Sequence, residues 1–191
     1  MTTLEEIRAG AGDTFPTWTL KDAKDVACFF SAAFLGRNDV IHVHAAAPPN
    51  VLLVDRDEAK LMEMHRVYGM EHWRFVVGDC YEAARALRKN GEAFDVVVVD
   101  PWSNGIDVAL RELPLWCALS RKYVVIGVTK DWLDGKRLVQ TPGAIASWIA
   151  SEHWNGEDLP FPPVELRWRS AFIGGVYWLV LVKEVRCDSA F

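Results

Sequence analysis

The sequence lacks the motifs of several common protein classes. Gly-x-Ser-x-Gly and Gly-x4-Gly-Lys-Ser/Thr are both absent, so a serine hydrolase and the common phosphate-binding loop have no support. Its cysteines form no CxxC or CxxH pair, which excludes the usual zinc motifs and favours reduced, buried thiols. There are only four of them: Cys28, Cys80, Cys117 and Cys187.

Long apolar runs and a positive charge excess are also lacking. No run approaches the length that spans a bilayer, and the first ten residues, MTTLEEIRAG, are acidic and have no apolar segment typical of a secretory signal. We therefore expect a soluble, cytoplasmic protein that does not contact a membrane. The net charge of −5 argues against wide, sequence-independent binding of nucleic acid, although a local basic strip remains compatible with it.

The composition is that of a globular protein. The chain has 191 residues, 51% of them apolar, which suits a single domain over residues 1–191 with a full hydrophobic core. Nine tryptophans are many for this length. Several stand beside predicted loops, where an indole can stack on a planar ligand.

From residue 50 onward, strands and helices alternate. The pattern predicts strands at 50–55, 73–79, 94–100 and 122–132, separated by helices at 57–68, 80–91 and 106–119, the last disturbed at Pro114. This alternation indicates βαβ units and a parallel sheet. The wholly apolar run Val96–Val99 agrees, because a parallel sheet is covered on both faces.

The last third of the chain has a different pattern. Thr141-Pro142 predicts the start of a helix, and "VELRWRSAF" and "GVYWLVLVKEV" predict two strands joined by a hairpin turn at Ile173-Gly174-Gly175. The expected fold class is α/β: a Rossmann-like, mostly parallel sheet with helices on both faces, ending in an antiparallel β-hairpin.

The first 49 residues fit this scheme less well. Lys21–Leu35 is predicted to be a helix because its apolar residues have helical spacing, and "DVIHVHAA" (Asp39–Ala46) is predicted to be a strand. We therefore treat residues 1–49 as an atypical N-terminal segment and residues 50–186 as the core.

Three successive predicted strands end in aspartate: Asp55, Asp79 and Asp100. Each lies one strand–helix unit from the next, so all three carboxyl groups are expected on the same rim of the sheet, where α/β proteins bind ligands. An aspartate at this place is also a common helix N-cap. Three in register favour a binding site, because adjacent carboxylates repel unless a ligand or donors use them.

These segments resemble a known family. "LLVDRD", "VVGDCYEAARAL" and "FDVVVVDPW", in this order and spacing, resemble the second, third and fourth strand regions of class I S-adenosylmethionine-dependent methyltransferases, and the terminal hairpin is similar to that family's reversed last strands. The resemblance covers about residues 50 to 185. It implies that the cofactor is S-adenosylmethionine.

The resemblance also implies roles for individual residues. Asp55, with Arg56 beside it, would hold the ribose of the cofactor, and Asp79 with the backbone of Cys80 would hold the adenine edge. The catalytic loop would comprise four residues that grip and stack on a planar target amine: Asp100, Pro101, Trp102 and Asn104.

Two features depart from the family pattern. The catalytic motif has one proline, with Trp102 where a second would stand. A glycine-rich loop should also follow the first strand and admit the methionine part of the cofactor, but the expected place holds "HVHAAAPPN" (His42–Asn50). Gly10 and Gly12, in "AGAGD", have the glycine spacing and are the candidate cofactor loop, with a flexible N-terminal turn as the alternative.

A metal centre is not expected. His42 and His44 would share one face of a strand, and Asp39 or Asp55 could add oxygen ligands to a metal there. The sequence specifies no third ligand, however, and ordinary, partly buried histidines explain the pair.

Three hypotheses follow for the function. The first is a methyltransferase that modifies an amino nitrogen of a nucleobase or small molecule, with nucleic acid as an acceptor that the net charge does not favour. The second is a catalytically inactive methyltransferase-like module that binds a ligand or serves as a partner subunit. The third is another enzyme that uses S-adenosylmethionine, either an aminopropyl transferase or one that degrades the cofactor.

Overall fold

The structure is a computed structural model. It describes residues 2–9, 14–69, 71–102, 105–136, 144, 147–148, 163–169 and 176–183.

Seven helices and seven strands are described. The helices are α1 (Leu4–Ala9), α2 (Val40–Ala46), α3 (Glu58–Tyr68), α4 (Cys80–Lys89), α5 (Ile106–Arg111), α6 (Leu113–Leu119) and α7 (Lys130–Gly135), with short 3-10 turns at Thr17–Leu20 and Ala33–Gly36. The strands are β1 (Asp25–Phe29), β2 (Asn50–Asp55), β3 (Arg74–Val77), β4 (Phe94–Val99), β5 (Ser120–Thr129), β6 (Pro163–Arg169) and β7 (Val176–Val182). Among the described residues, no helix is long and apolar enough to cross a membrane.

All seven strands form one sheet in the order β3-β2-β1-β4-β5-β7-β6. Strands β1 to β5 are parallel, whereas β7 runs antiparallel between β5 and β6. The chain order reverses between β1 and β4, and ligands of open α/β sheets bind at such a switch point. The α/β, Rossmann-like class and the antiparallel terminal pair are thereby confirmed. The turn at Ile173–Gly175 lies outside the described residues.

The run of four valines in β4 has a simple explanation. Val97 and Val99 face one buried cluster, which includes Trp116 of α6, whereas Val96 and Val98 face the cluster on the opposite side of the sheet. Successive side chains point to opposite faces of a strand, so a central strand covered on both sides must be apolar throughout.

The prediction of a helix over Lys21–Leu35 is wrong, because Asp25–Phe29 forms β1, the strand between β2 and β4. A short apolar run has the same composition in a buried strand and in a buried helix. Tertiary pairing decides between the two, because this segment fills the place between β2 and β4 and hydrogen-bonds to both strands. The central strand of the sheet therefore comes from the N-terminal segment that the sequence set apart from the core.

The prediction of a strand over Asp39–Ala46 is also wrong, because this segment contains α2. The helix ends at Ala47, which has a left-handed φ of 50°, and Pro48 and Pro49 follow. Prolines commonly follow a helix C-cap because they cannot continue the helix. Helix α2 supplies the crossover between β1 and β2 that a parallel pair requires.

The remaining boundaries agree closely with the predictions. The helix expected over 106–119 is divided into α5 and α6, and Pro114 lies in the first turn of α6, where its missing N–H costs nothing. Strand β5 ends at Thr129, three residues before the predicted end, because the Thr129 side chain caps α7 by accepting a hydrogen bond from the Trp132 amide. The helix start predicted at Thr141-Pro142 lies outside the described residues.

Candidate active site

A cleft of about 360 Å³ opens beyond the carboxyl ends of β1 to β4. This volume is in the range of small-molecule sites. Its lining includes six residues that the sequence identified as site residues: Asp55, Arg56, Asp79, Cys80, Pro101 and Trp102. The structure therefore brings together side chains that three separate strand–loop units contribute.

Asp55 ends β2 and is held by backbone donors. Its Oδ2 accepts a hydrogen bond from the Ala32 amide at 3.1 Å, and its Oδ1 accepts one from the Asp57 amide at 3.0 Å. The first bond ties the loop after β1 to the end of β2. The carboxylate is half-buried and lines the cleft, and each of its oxygens has a further lone pair with which to accept from a ligand hydroxyl.

Asp79 is the N-cap of α4. Its Oδ1 accepts hydrogen bonds from the Tyr81 and Glu82 amides at 2.9 and 3.0 Å, which satisfies two of the unpaired donors of the helix end. Asp79 therefore caps α4 and also lines the cleft. Both bonds use Oδ1, and the side chain is exposed.

Cys80 contributes no reactive thiolate. The residue is buried, its Sγ lies 3.2 Å from the Val54 carbonyl oxygen, and burial raises the pKa of the thiol to about 12. A thiol in this state is a poor nucleophile at neutral pH. Its backbone, rather than its side chain, is the part that a ligand can use.

Aromatic side chains form one wall and the mouth of the cleft. Phe30 and Tyr81 lie with their ring centroids 5.3 Å apart, and both line the cleft. At the mouth, Phe34 and Trp102 lie with centroids 5.2 Å apart and are 52% and 55% exposed. Large aromatic rings that remain half-exposed at a cleft are suited to stacking on a planar ligand.

Asp100 is not among the lining residues of this cleft. Its Oδ1 lies against Gly127 of β5, where an added Cβ would come within 2.5 Å of it. Burial, together with the neighbouring charge of Asp39, raises the pKa of Asp100 well above its usual range, although a hydrogen bond with the Asn38 side chain opposes the shift. The side chain therefore favours a protonated, inward-facing state.

Asp39 is the buried partner of Asp100. It is 1% exposed and forms a short hydrogen bond with the Ser31 hydroxyl. Burial raises the pKa of Asp39 to about 6, against the opposing effect of the Ser31 bond. Two acids that share one buried region disfavour simultaneous ionisation.

The loop that follows β1 is formed by Phe30–Gly36, in the place where the family resemblance implies a glycine-rich loop. Four of its residues have left-handed φ values: Phe30, Phe34, Leu35 and Gly36. Only Gly36 is a glycine, and a Cβ at this position would lie 2.4 Å from the Cβ of Val40. The loop thus makes the backbone turns of a glycine-rich loop with bulky side chains, at a cost in strain that glycine would avoid.

Several predicted positions fall elsewhere. Gly10, Gly12 and Asn104 lie outside the described residues; the segment before the two glycines is helix α1, not a strand. His42 and His44 lie on a helix rather than on one strand face, where His42 stacks on Phe15 and His44 packs against Tyr68 and Trp73. Within the described part of the chain, no group of three potential ligands is placed to hold a metal ion.

Sequence reasoning missed seven lining residues of the cleft: Phe30, Asp57, Lys60, Gly78, Tyr81, Gly105 and Val108. Their signal was position, since each lies in the loop that follows a strand or in the first turn of the next helix. Phe30 was hidden because β1 was predicted to be helical. The burial of Asp39 beside Asp100 was not predicted, because the helix that Asp39 caps was predicted to be a strand.

The chain resembles known proteins in fold rather than in sequence. No family model matches it, and no curated protein is similar enough in sequence to match. A putative O-methyltransferase from Klebsiella pneumoniae superposes with a TM-score of 0.62 at 14% identity, over 95% of this chain and 90% of that chain. The fibrillarin pre-rRNA processing protein of Methanococcus jannaschii has a TM-score of 0.59 at 16% identity, over 87% and 69% of the two chains.

A third structure is the O-methyltransferase TomG from Streptomyces achromogenes in complex with SAM. Its TM-score is 0.59 at 18% identity, over 87% of this chain and 76% of TomG. Against three further matched structures, the chain spans only 44%, 45% and 47% of their lengths. These likenesses, with the strand order and the reversed β7, show that the chain has the fold of class I S-adenosylmethionine-dependent methyltransferases.

Proposed function

We propose that this protein binds S-adenosylmethionine in the cleft and transfers its methyl group to a nitrogen of a planar acceptor. The observation that supports this most directly is the convergence in one cleft of Asp55, Asp79 and the loop Pro101–Trp102. These residues follow three consecutive parallel strands, on the side of the sheet where α/β proteins bind nucleoside ligands.

In this proposal, the deeper part of the cleft binds the nucleoside. The Asp55 carboxylate accepts hydrogen bonds from the ribose hydroxyls, next to the cationic side chains of Arg56 and Lys60. Asp79 accepts from the exocyclic amine of adenine, while the backbone at Cys80 lies along the adenine edge. Tyr81 and Phe30 supply the aromatic wall that a purine requires.

The acceptor then lies at the mouth. Trp102 and Phe34 stack on its plane, and main-chain oxygens of the loop after β4 accept from the target amine. The cofactor supplies an electrophilic sulfonium methyl group, so the protein needs only to align a nitrogen lone pair with it. Because the Asp100 side chain faces inward and favours protonation, its role is to position the loop rather than to act as a base.

A second candidate is supported by the Phe30–Gly36 loop. The side chains that it carries in place of glycines favour a methyltransferase-like module that binds a nucleoside ligand or a partner without catalysis. The two candidates differ in whether the complete cofactor binds and reacts.

Thermal unfolding with S-adenosylmethionine, S-adenosylhomocysteine and adenosine separates them. Ligand at a hundred times its dissociation constant should stabilise the fold by about 2.7 kcal/mol. We expect both complete ligands to raise Tm more than adenosine does, and Asp55→Asn and Asp55→Ala to lose the effect. Asp131→Ala, which removes an exposed aspartate of α7 outside the cleft, is the matched control.

Binding must then be followed by turnover. Mass spectrometry of the cofactor and of nucleobase and small-amine acceptors should show S-adenosylhomocysteine formed together with a methylated acceptor. A folded protein that shows no shift with any of these ligands contradicts the proposal. A shift without turnover supports the binding module, and cofactor consumption without a methylated acceptor supports a different reaction on this scaffold.

A further inference from the structure

A second concave surface lies on the helical face beside the cleft. This groove of about 470 Å³ is lined by side chains of α4, α5 and the start of α6. We call it the basic groove, because its lining contains four cations, Arg85, Arg88, Lys89 and Arg111, and one carboxylate, Glu112.

The charges of the basic groove are poorly neutralised. Arg85 donates to Glu112 Oε1 at 2.5 Å, but within the described part of the chain no ion pair involves Arg88, Lys89 or Arg111. Several exposed cations elsewhere do pair with carboxylates, among them Arg74 with Glu92 and Lys136 with Asp107. A chain with a net charge of −5 thus brings three cations that form no ion pair with a described residue into one groove.

Helix dipoles explain only part of this arrangement. Arg88 and Lys89 lie in the last turn of α4, and Arg111 lies in the last turn of α5, where cations are favourable. The dipole accounts for each cation at its own helix end. It does not account for two such ends opening into the same groove, together with Arg85 from the middle of α4.

The basic groove and the cleft are connected by the same two helices. Helix α4 begins at Cys80 and α5 follows Gly105, and both of these residues line the cleft. At 1.5 Å per residue, Arg88 lies about 12 Å along α4 from the cleft. The cations of the basic groove therefore begin within about 12 Å of the part of the cleft that Cys80 lines.

We infer that the basic groove binds the phosphodiester backbone of a single-stranded nucleic acid, one base of which enters the cleft as the methyl acceptor. This inference rests on the proposed function, since the base occupies the acceptor position at Trp102 and Phe34. Exposed aromatic rings beside a track of cations are the features with which proteins bind single strands, by stacking bases and neutralising phosphates. An acidic protein segment would use the cations but not the rings.

Fluorescence anisotropy with labelled single-stranded RNA and DNA of about 12 nucleotides tests the inference. The variant Arg88→Glu/Lys89→Glu should bind at least about tenfold more weakly at about 50 mM salt, and its slope of log affinity against log salt should be shallower by about 1.4. The matched control is Lys21→Glu/Lys24→Glu, which makes the same charge change at exposed positions outside the groove. Arg111→Glu should weaken binding on its own.

Equal losses in the groove and control variants would overturn the inference, as would poly-glutamate of the same length binding as tightly as RNA. The RNA and DNA arms show which backbone is preferred. In the same variants, S-adenosylmethionine binding, measured by thermal shift, should not change. Loss of RNA binding with cofactor binding intact therefore concerns the groove, whereas RNA binding without any cofactor binding leaves the groove intact and contradicts the proposed function.

Discussion

The two rims of the central sheet both carry aspartates, but their surroundings are opposite. On the amino rim, where β1, β4 and β5 begin, Asp95 accepts from the Lys24 amide at 2.9 Å, from Arg121 Nε at 3.0 Å and from Lys122 Nζ at 3.2 Å. Arg121 also pairs with Asp25. On the carboxyl rim, where the loops after β1 and β4 meet, Asp39 is buried with the Ser31 hydroxyl as its hydrogen-bond partner, and the Asp100 side chain lies against Gly127.

The pKa values of these aspartates shift in opposite directions on the two rims. Burial opposes ionisation of Asp95, but its hydrogen bonds with Lys24, Arg121 and Lys122 outweigh burial and lower the pKa. Burial raises the pKa of Asp39 and of Asp100, and a neighbouring carboxylate adds to each shift: Asp55 in the case of Asp39, and Asp39 in the case of Asp100. Asp95 on the amino rim therefore stabilises the fold as an anion, whereas Asp39 and Asp100 on the carboxyl rim cost stability when ionised. Buried acids with a raised pKa, such as Asp39 and Asp100, are concentrated at functional sites.

The largest effect on stability is expected on the amino rim. Asp95→Ala removes the acceptor of three donors, leaves Lys122 without its carboxylate and leaves Arg121 with Asp25 alone. The free energy of unfolding should therefore fall by about 2–3 kcal/mol, a value reduced by the solvent exposure of both cations. Urea unfolding at pH 7 measures it. Asp25 is half-buried, and Asp25→Ala should lower the free energy of unfolding by less than Asp95→Ala does. An equal or larger loss for Asp25→Ala would show that Asp95 is not the main anionic partner on this rim.

A smaller and pH-dependent effect is expected on the carboxyl rim. Because the pKa of Asp39 is about 6 in the folded state against an ordinary 3.8, the folded protein binds this proton more tightly than the unfolded chain. Stability should therefore fall as pH rises from about 4 to about 6, by about 2 kcal/mol. Asp39→Asn should remove most of that fall, measured by urea unfolding at several pH values.

Asp95→Asn provides the contrast to this result. Its folded pKa is lowered, so its contribution is present above pH 4 and is lost as pH falls further. Asp95→Asn should therefore flatten the acid end of the stability profile and leave the region from pH 4 to 6 unchanged. If Asp39→Asn had the same profile as the wild type, the contrast between the two rims would not hold.

The smallest effect on stability should accompany a large effect on function. Trp102→Ala and Phe34→Ala remove exposed rings at the cleft mouth, so the free energy of unfolding should change by no more than about 1 kcal/mol. The KM for a planar acceptor should rise about tenfold, because one stacking partner is lost. Met62→Ala, which alters an exposed side chain of α3 outside the cleft, should change neither quantity.

The parts predicted well from sequence were those with a strong local signal. Asp55, Asp79 and Pro101 each follow an apolar run long enough to be a buried strand, and all three strands were located within a few residues. Parallel strands place their carboxyl ends on one side, so the residues at those ends could be grouped from the sequence alone. The terminal antiparallel strands were found in the same way.

The parts predicted wrongly were ambiguous in local pattern. Val26–Phe29 fits a helix or a strand, and Val40–Val43 fits either as well, so both segments were assigned to the wrong class. Their secondary structure depends on neighbours distant in sequence. Strand β1 pairs with β2 and β4, and the apolar side chains of α2 pack into the cluster on one face of the sheet. Interactions of that range override local propensity.

Local chemistry along the chain thus specified an α/β fold with an acidic, aromatic rim, because strand length, strand-end residues and helix caps act over a few neighbouring positions. Tertiary contact decided the rest. It made β1 the central strand, placed Phe30–Gly36 where a glycine-rich loop is expected, turned the Asp100 side chain inward beside Asp39, and brought two basic helix ends into one groove. These features depend on packing between segments that are remote in sequence, and a pattern of a few neighbouring residues carries no information about that packing.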